Sequence, residues 1–105
     1  MSGELKIGLI GGGWMGKAHT AAYKNVPLIF GNEPAIPVLH TVADINIQSA
    51  KETHKYGGFK YFTNDWKKVV ENPEIDVIDI VTPNSVHPEI AIAAAENGKH
   101  VYCEK

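Results

Sequence analysis

The sequence predicts an α/β domain built on a doubly wound parallel sheet, and three observations predict it. Apolar runs rich in β-branched residues recur at Leu5 to Ile10, Val38 to Ala43, Phe59 to Phe62, Val77 to Val81 and His100 to Tyr102. Most of the segments between them have helical composition, and strands joined by connections of helix length must pair in parallel. The run V-I-D-I-V at 77 to 81 is nearly all apolar, as expected of a strand that helices bury on both faces.

Each element carries its own local signal. The first run leads straight into the glycine-rich stretch G-G-G-W-M-G at 11 to 16, after which a helix is expected. Asn25 to Pro37 holds three prolines, a glycine and no clear periodicity, which predicts a long loop before the second strand. That strand ends in V-A-D at 42 to 44. Asp79 interrupts the otherwise apolar fourth run, so it must have a polar partner such as a hydrogen bond to a neighbouring loop. His87-Pro88 opens the helical run E-I-A-I-A-A-A-E-N, with Pro in its first turn and Gly98 as its stop.

The chain's 105 residues, 44% hydrophobic and 21% charged, suffice for one domain with a real core. Ten Lys and Arg against twelve Asp and Glu give a net charge of -2 without a long basic run, so neither nucleic acid nor an anionic membrane is an expected partner. Cys103 is the single cysteine, which excludes an internal disulfide and predicts a reducing, cytoplasmic setting. In the last strand it reads as a small buried hydrophobe. The first apolar run is too short, and too interrupted by Lys6 and Gly8, for a signal-peptide core or a membrane span. His40, His54 and His100 show no metal-ligand spacing, and no metal is predicted.

Gly11, Gly13 and Gly16 fit G-x-G-x-x-G between a strand and a helix. That context sets backbone N–H groups and the positive end of a helix against a pyrophosphate. Gly11 permits the tight turn, Gly13 leaves room for phosphates to reach the backbone, and Gly16 lets the helix lie close to the sheet. Gly12 reads as permitted rather than required. Trp14 and Met15, inside the pattern, belong to the same cofactor-binding set. His19, one turn further on, reads as a packed or half-exposed histidine rather than a contact.

Asp44, at the tip of the second strand, is positioned to accept both adenosine-ribose hydroxyls. It follows Gly16 by 28 residues against a usual interval of about 20, and the proline-containing segment accounts for the surplus. The carboxylate disfavours a 2′-phosphate, and Ile45, Asn46 and Ile47 supply no arginine to welcome one, so NAD is expected over NADP. Ile45 joins the binding set. The alternative reading makes Asp44 a turn residue that caps the next helix.

Four stretches together, G-L-I-G-G-G-W-M-G-K-A-H at 8 to 19, V-A-D at 42 to 44, V-T-P-N-S-V-H at 81 to 87 and the closing C-E-K, resemble the nucleotide-binding, Rossmann-like domain of the Gfo/Idh/MocA oxidoreductases. The resemblance runs over essentially the whole chain. It implies a catalytic role for Lys105, beside the nicotinamide, in orienting or polarising the substrate hydroxyl, with Glu104 as an accompanying carboxylate. It also implies that Thr82, Pro83, Asn84 and His87 pass along the cofactor near the nicotinamide ribose. Ordinary turn chemistry, a helix cap at His87 and a solvated charge at Lys105 are the competing readings.

The resemblance implies an NAD-dependent dehydrogenase of a sugar, inositol or related polyol. The 105 residues are then its dinucleotide-binding domain, truncated before a C-terminal α+β domain. Such a chain is expected to bind cofactor without turnover, to expose apolar area meant for the second domain, and to belong to a homo-oligomer. The alternatives are a stand-alone dinucleotide-binding or sensing module, and a related fold for FAD or S-adenosylmethionine. The last leaves T-P-N-x-x-H and the terminal E-K without a reason.

Overall fold

In a computed structural model, the structure describes residues 4–25, 28–30, 33–82 and 87–103. Trp14, residues 28–30, Glu33, His87 and Cys103 are described in backbone only. The elements follow the chain as β1 (Glu4–Ile10), α1 (Gly13–Asn25), β2 (Leu28–Phe30), β3 (Glu33–Ala43), α2 (Ile47–Gly57), β4 (Tyr61–Thr63), α3 (Trp66–Glu71), β5 (Val77–Ile80), α4 (His87–Glu96) and β6 (His100–Cys103). Five strands pair in parallel in the order β4-β3-β1-β5-β6. The chain runs outward from β1 through β3 to β4 and then returns to β5 on the other side of β1. The strand order therefore reverses between β1 and β5.

Alternation along the strands sorts the core into two layers. Ile10, Ala43, Ile78 and Ile80 meet Val69 and Val70 of α3 and Ile90 and Ala94 of α4. Leu9 and Val42, one residue out of phase, pack with Phe59 on the opposite side, where α1 and α2 lie against each other. All four residues of β5 are buried, as the V-I-D-I-V run predicts.

The predicted loop from Asn25 to Pro37 is corrected by the structure. Leu28–Phe30 forms an antiparallel hairpin with Glu33–Ala35, and β3 starts at Glu33 rather than Val38. Pro34 pairs opposite Ile29, and Pro37 opposite Leu5. A proline removes one donor from a strand and is tolerated where that N–H faces no partner, so prolines alone did not break this one. The third strand is also displaced, to Tyr61–Thr63, with Phe59 buried beneath the turn that precedes it.

Helix ends follow their sequence signals. Asn46 caps α2 by accepting from the Gln48 and Ser49 N–H groups, and Asp65 caps α3 by accepting from Lys67 N–H at 3.0 Å. Gly98 beyond α4 and Gly58 beyond α2 both adopt φ of +75°. A Cβ at Gly58 meets nothing within 4 Å, so Gly58→Ala isolates the left-handed strain. It is expected to destabilise by about 1 kcal/mol and to lower Tm by roughly 5 °C in a thermal melt. An unchanged Tm refutes the cap's contribution.

Candidate dinucleotide site

Three backbone hydrogen bonds gather the strand tips at the carboxyl edge of the sheet. Gly11 N–H donates to Ala43 O at 2.7 Å, Val81 N–H to Ile10 O at 2.9 Å, and Asp44 N–H to Thr63 O at 3.1 Å. The ends of β1, β3, β4 and β5 are thereby held side by side at the point where strand order reverses, the place where open α/β sheets bind ligands.

The glycine turn sits at this point. Gly11, at φ +103°, has Val81 and Thr82 within about 3.1 Å of its Cβ position, so no side chain fits there. Gly13 has φ +66° and open space around its Cβ position. Gly16 has the Gly11 carbonyl oxygen 2.6 Å from its own, so α1 starts in contact with the turn. Trp14 and Met15 fall in the first turn of α1.

The reading of Gly12 as merely permitted is overturned. Its Cβ position lies 2.8 Å from Thr53 Oγ1, 3.0 Å from Ser49 Oγ and 3.2 Å from Asp44 Oδ2. A side chain at residue 12 would have to push aside the Thr53 and Ser49 hydroxyls as well as the acid.

Asp44 joins these parts. Its Oδ2 accepts Gly12 N–H at 2.7 Å and its Oδ1 accepts Asn46 N–H at 2.9 Å. The N-cap of α2 is Asn46, so Asp44 braces the glycine turn and the helix entry instead of capping.

Around these groups lies a cleft of about 290 Å³. Gly11, Gly12, Asp44 and Thr82 give it a polar side. Ile45, which is 86% exposed, stands at its rim, and Val81, Trp66 and Ile90 give it an apolar side. Gly11, Asp44, Ile45 and Thr82 of the predicted set therefore line one cleft, with Gly13, Met15 and Gly16 in the adjoining turn and helix start. Pro83, Asn84, Glu104 and Lys105 lie outside the described residues, as do the side chains of Trp14, His87 and Cys103.

Sequence reasoning missed Trp66 and Ile90. Both belong to helices that begin at the carboxyl edge of the sheet, and the Asn64-Asp65 pair before Trp66 is a readable start signal. Combining that start with the ligand edge of the sheet would have found Trp66.

Asp79 has a different partner from the expected loop. It is fully buried in β5 and faces α1, where His19 Nδ1 lies 2.7 Å and Tyr23 Oη 2.6 Å from its Oδ2. A carboxylate oxygen only accepts, which sets the Nδ1-protonated tautomer of His19. The packed reading of His19 stands, with its side chain 13% exposed. Burial first, and then the charge and hydrogen bond of Asp79, push the Tyr23 pKa well above the ordinary tyrosine value.

A glycine turn leading from a central parallel strand into a helix, braced by an acid on the adjoining strand tip, defines a dinucleotide-binding α/β domain. Residues 5–105 match the GFO_IDH_MocA family model, an oxidoreductase family with an NAD-binding Rossmann fold, and the chain belongs to that family. It is 52% identical over 102 residues to levoglucosan dehydrogenase of Pseudarthrobacter phenanthrenivorans, covering 97% of this chain and 26% of that protein. It is 30% identical over 101 residues to myo-inositol 2-dehydrogenase of Thermotoga maritima, covering 96% and 28%. Among solved structures, levoglucosan dehydrogenase in complex with NADH and levoglucosan superposes with a TM-score of 0.88 at 51% identity, over 97% of this chain and 27% of that one. The chain thus spans roughly a quarter of the length of these relatives. Among the described residues no helix is long and apolar enough to cross a membrane.

Proposed function

We propose that this chain is the cofactor-holding domain of a longer NAD-dependent dehydrogenase, one that moves hydride between nicotinamide and a carbinol carbon of a sugar, inositol or related polyol. The observation that carries the reading is the 2.7 Å hydrogen bond from Gly12 N–H to Asp44 Oδ2, which makes the phosphate-binding turn and the ribose-binding acid one unit. Each carboxylate oxygen has more than one lone pair. After accepting Gly12 and Asn46 N–H, both retain capacity for a ribose hydroxyl. The space beside Gly13 fits a pyrophosphate at the start of α1, where the helix dipole favours an anion.

Bound there, nicotinamide supplies the hydride donor or acceptor, and the chain's residues hold and orient it. In this reading Trp14, Met15, Thr82, Pro83, Asn84, His87 and Glu104 flank the cofactor. Lys105 orients or polarises the substrate hydroxyl and carries its proton. The relatives' names point to a cyclic polyol or anhydrosugar as the substrate class. A cytoplasmic homo-oligomer is the setting proposed for the whole enzyme.

Asp44 also selects the cofactor. Against a 2′-phosphate charge at ~4 Å it contributes roughly 1 kcal/mol of repulsion in water and about 4 kcal/mol in a partly shielded site. Calorimetric titration is therefore expected to give binding of NAD, at least tenfold weaker binding of NADP, and loss of NAD binding in folded Gly13→Ala. Mixed with NAD and levoglucosan or myo-inositol, the chain alone is expected to produce no reduced nicotinamide. A folded chain that binds neither dinucleotide would sink the proposal.

A further inference from the structure

Among the described residues, one large aromatic side chain lines the cleft. Trp66 packs on the core formed by α3 and α4 and also lines the cleft that Asp44 lines. Hydrogen bonds in series fix its place. Asp44 N–H donates to the Thr63 carbonyl at 3.1 Å, and Asp65 N–H donates to Thr63 Oγ1 at 3.1 Å. Asp65 Oδ1 then accepts Lys67 N–H at 3.0 Å. Trp66 is thus the first residue of a helix whose start is tied through Thr63 to the tip of β3, so its backbone is held beside the acid.

A nucleoside has the same two-part chemistry as this cleft. Its ribose presents hydroxyls and its purine presents an uncharged π surface with two faces. Asp44 and the glycine turn match the first; Trp66, Ile45 and Ile90 match the second. We propose that Trp66 is a base-binding residue, which receives the adenine while Asp44 holds the adjoining ribose. The inference rests on the reading of this cleft as a dinucleotide site. Contact with an indole and branched aliphatic side chains holds a base through its π surface and the burial of apolar area rather than through its hydrogen-bonding edge. Affinity at this end therefore follows the aromatic surface at residue 66.

The test is calorimetric titration of the wild-type, Trp66→Ala and Trp66→Phe chains with NAD and with ADP-ribose, which keeps the adenosine half and lacks nicotinamide. Circular dichroism establishes that each chain is folded. Trp66→Ala is expected to weaken both ligands by the same factor, roughly tenfold, and Trp66→Phe to recover most of the loss. Wild-type affinity in Trp66→Ala overturns the role of Trp66 and leaves the dinucleotide site standing. Equal loss in the alanine and phenylalanine variants also overturns it, because general damage to α3 would then explain the effect. If the wild-type chain binds neither NAD nor ADP-ribose, the dinucleotide reading falls, and this inference with it.

Discussion

Gly16→Ala is expected to damage both stability and cofactor binding. Its Cβ would stand 2.6 Å from the Gly11 carbonyl oxygen, and the next neighbour is Leu9 Cδ2 at 3.5 Å. A flexible side chain could rotate away from such a contact, but a carbonyl fixed by the turn cannot. Gly11 is itself confined by φ of +103° and by Val81 and Thr82. Either α1 retreats from the sheet or the turn opens, and overpacking of this kind costs about 1–3 kcal/mol. The same shift moves the backbone proposed to meet the pyrophosphate. We expect a lower urea midpoint together with NAD affinity reduced at least tenfold, about 1.4 kcal/mol. A variant with wild-type midpoint and wild-type affinity would show that the contact is not limiting.

The second large effect is expected at Asp79. Removal of its carboxylate strands the His19 and Tyr23 donors beside a buried void. Loss of one member of a buried ionic network is typically worth about 3–5 kcal/mol. Asp79→Ala should therefore lower Tm by more than about 10 °C. Tyr23→Phe, which removes one hydrogen bond to the carboxylate, should cost about 1.5–3 kcal/mol.

The two differ in alkali. The folded-state pKa of Tyr23 is raised above the unfolded value of 10.0, so the folded chain keeps the phenolic proton after the unfolded chain has released it. The resulting stability is fully present below pH 10 and is lost progressively as pH rises above it. Tyr23→Phe should remove this part of the alkaline slope. Urea midpoints followed from pH 8 to 11 check the sign, and a slope identical in wild type and Tyr23→Phe would disprove the linkage.

The sheet could be read in advance because its information is local. β-branched runs, the glycine pattern and Asp44 at a strand tip are each complete within a few residues. The unread features depend on contacts between distant segments. Asp79 and His19 are separated by 60 residues, and only the packing of α1 on β5 joins them. Gly12 is crowded because α2 brings Ser49 and Thr53 against it. Trp66 reaches the cleft through the pairing of β4 with β3. The hairpin at Leu28–Phe30 was hidden for another reason, since prolines read as breakers can sit in a strand wherever their missing donor has no partner.

One irregularity in the ladder between β1 and β3 bears on how the chain accommodates changes of length. Ile7 pairs with Leu39 and Gly8 with Thr41, so His40 is an extra residue on β3, buried with its Nδ1 2.7 Å from Thr41 Oγ1. Such a bulge reverses the alternation of everything below it relative to everything above it. Thr41, Val42 and Ala43 pair with Gly8, Leu9 and Ile10 beyond that step. The hairpin at Leu28–Phe30 lies before it, so the surplus residues between Gly16 and Asp44 are taken up ahead of the part of β3 that sets Asp44 beside the glycine turn.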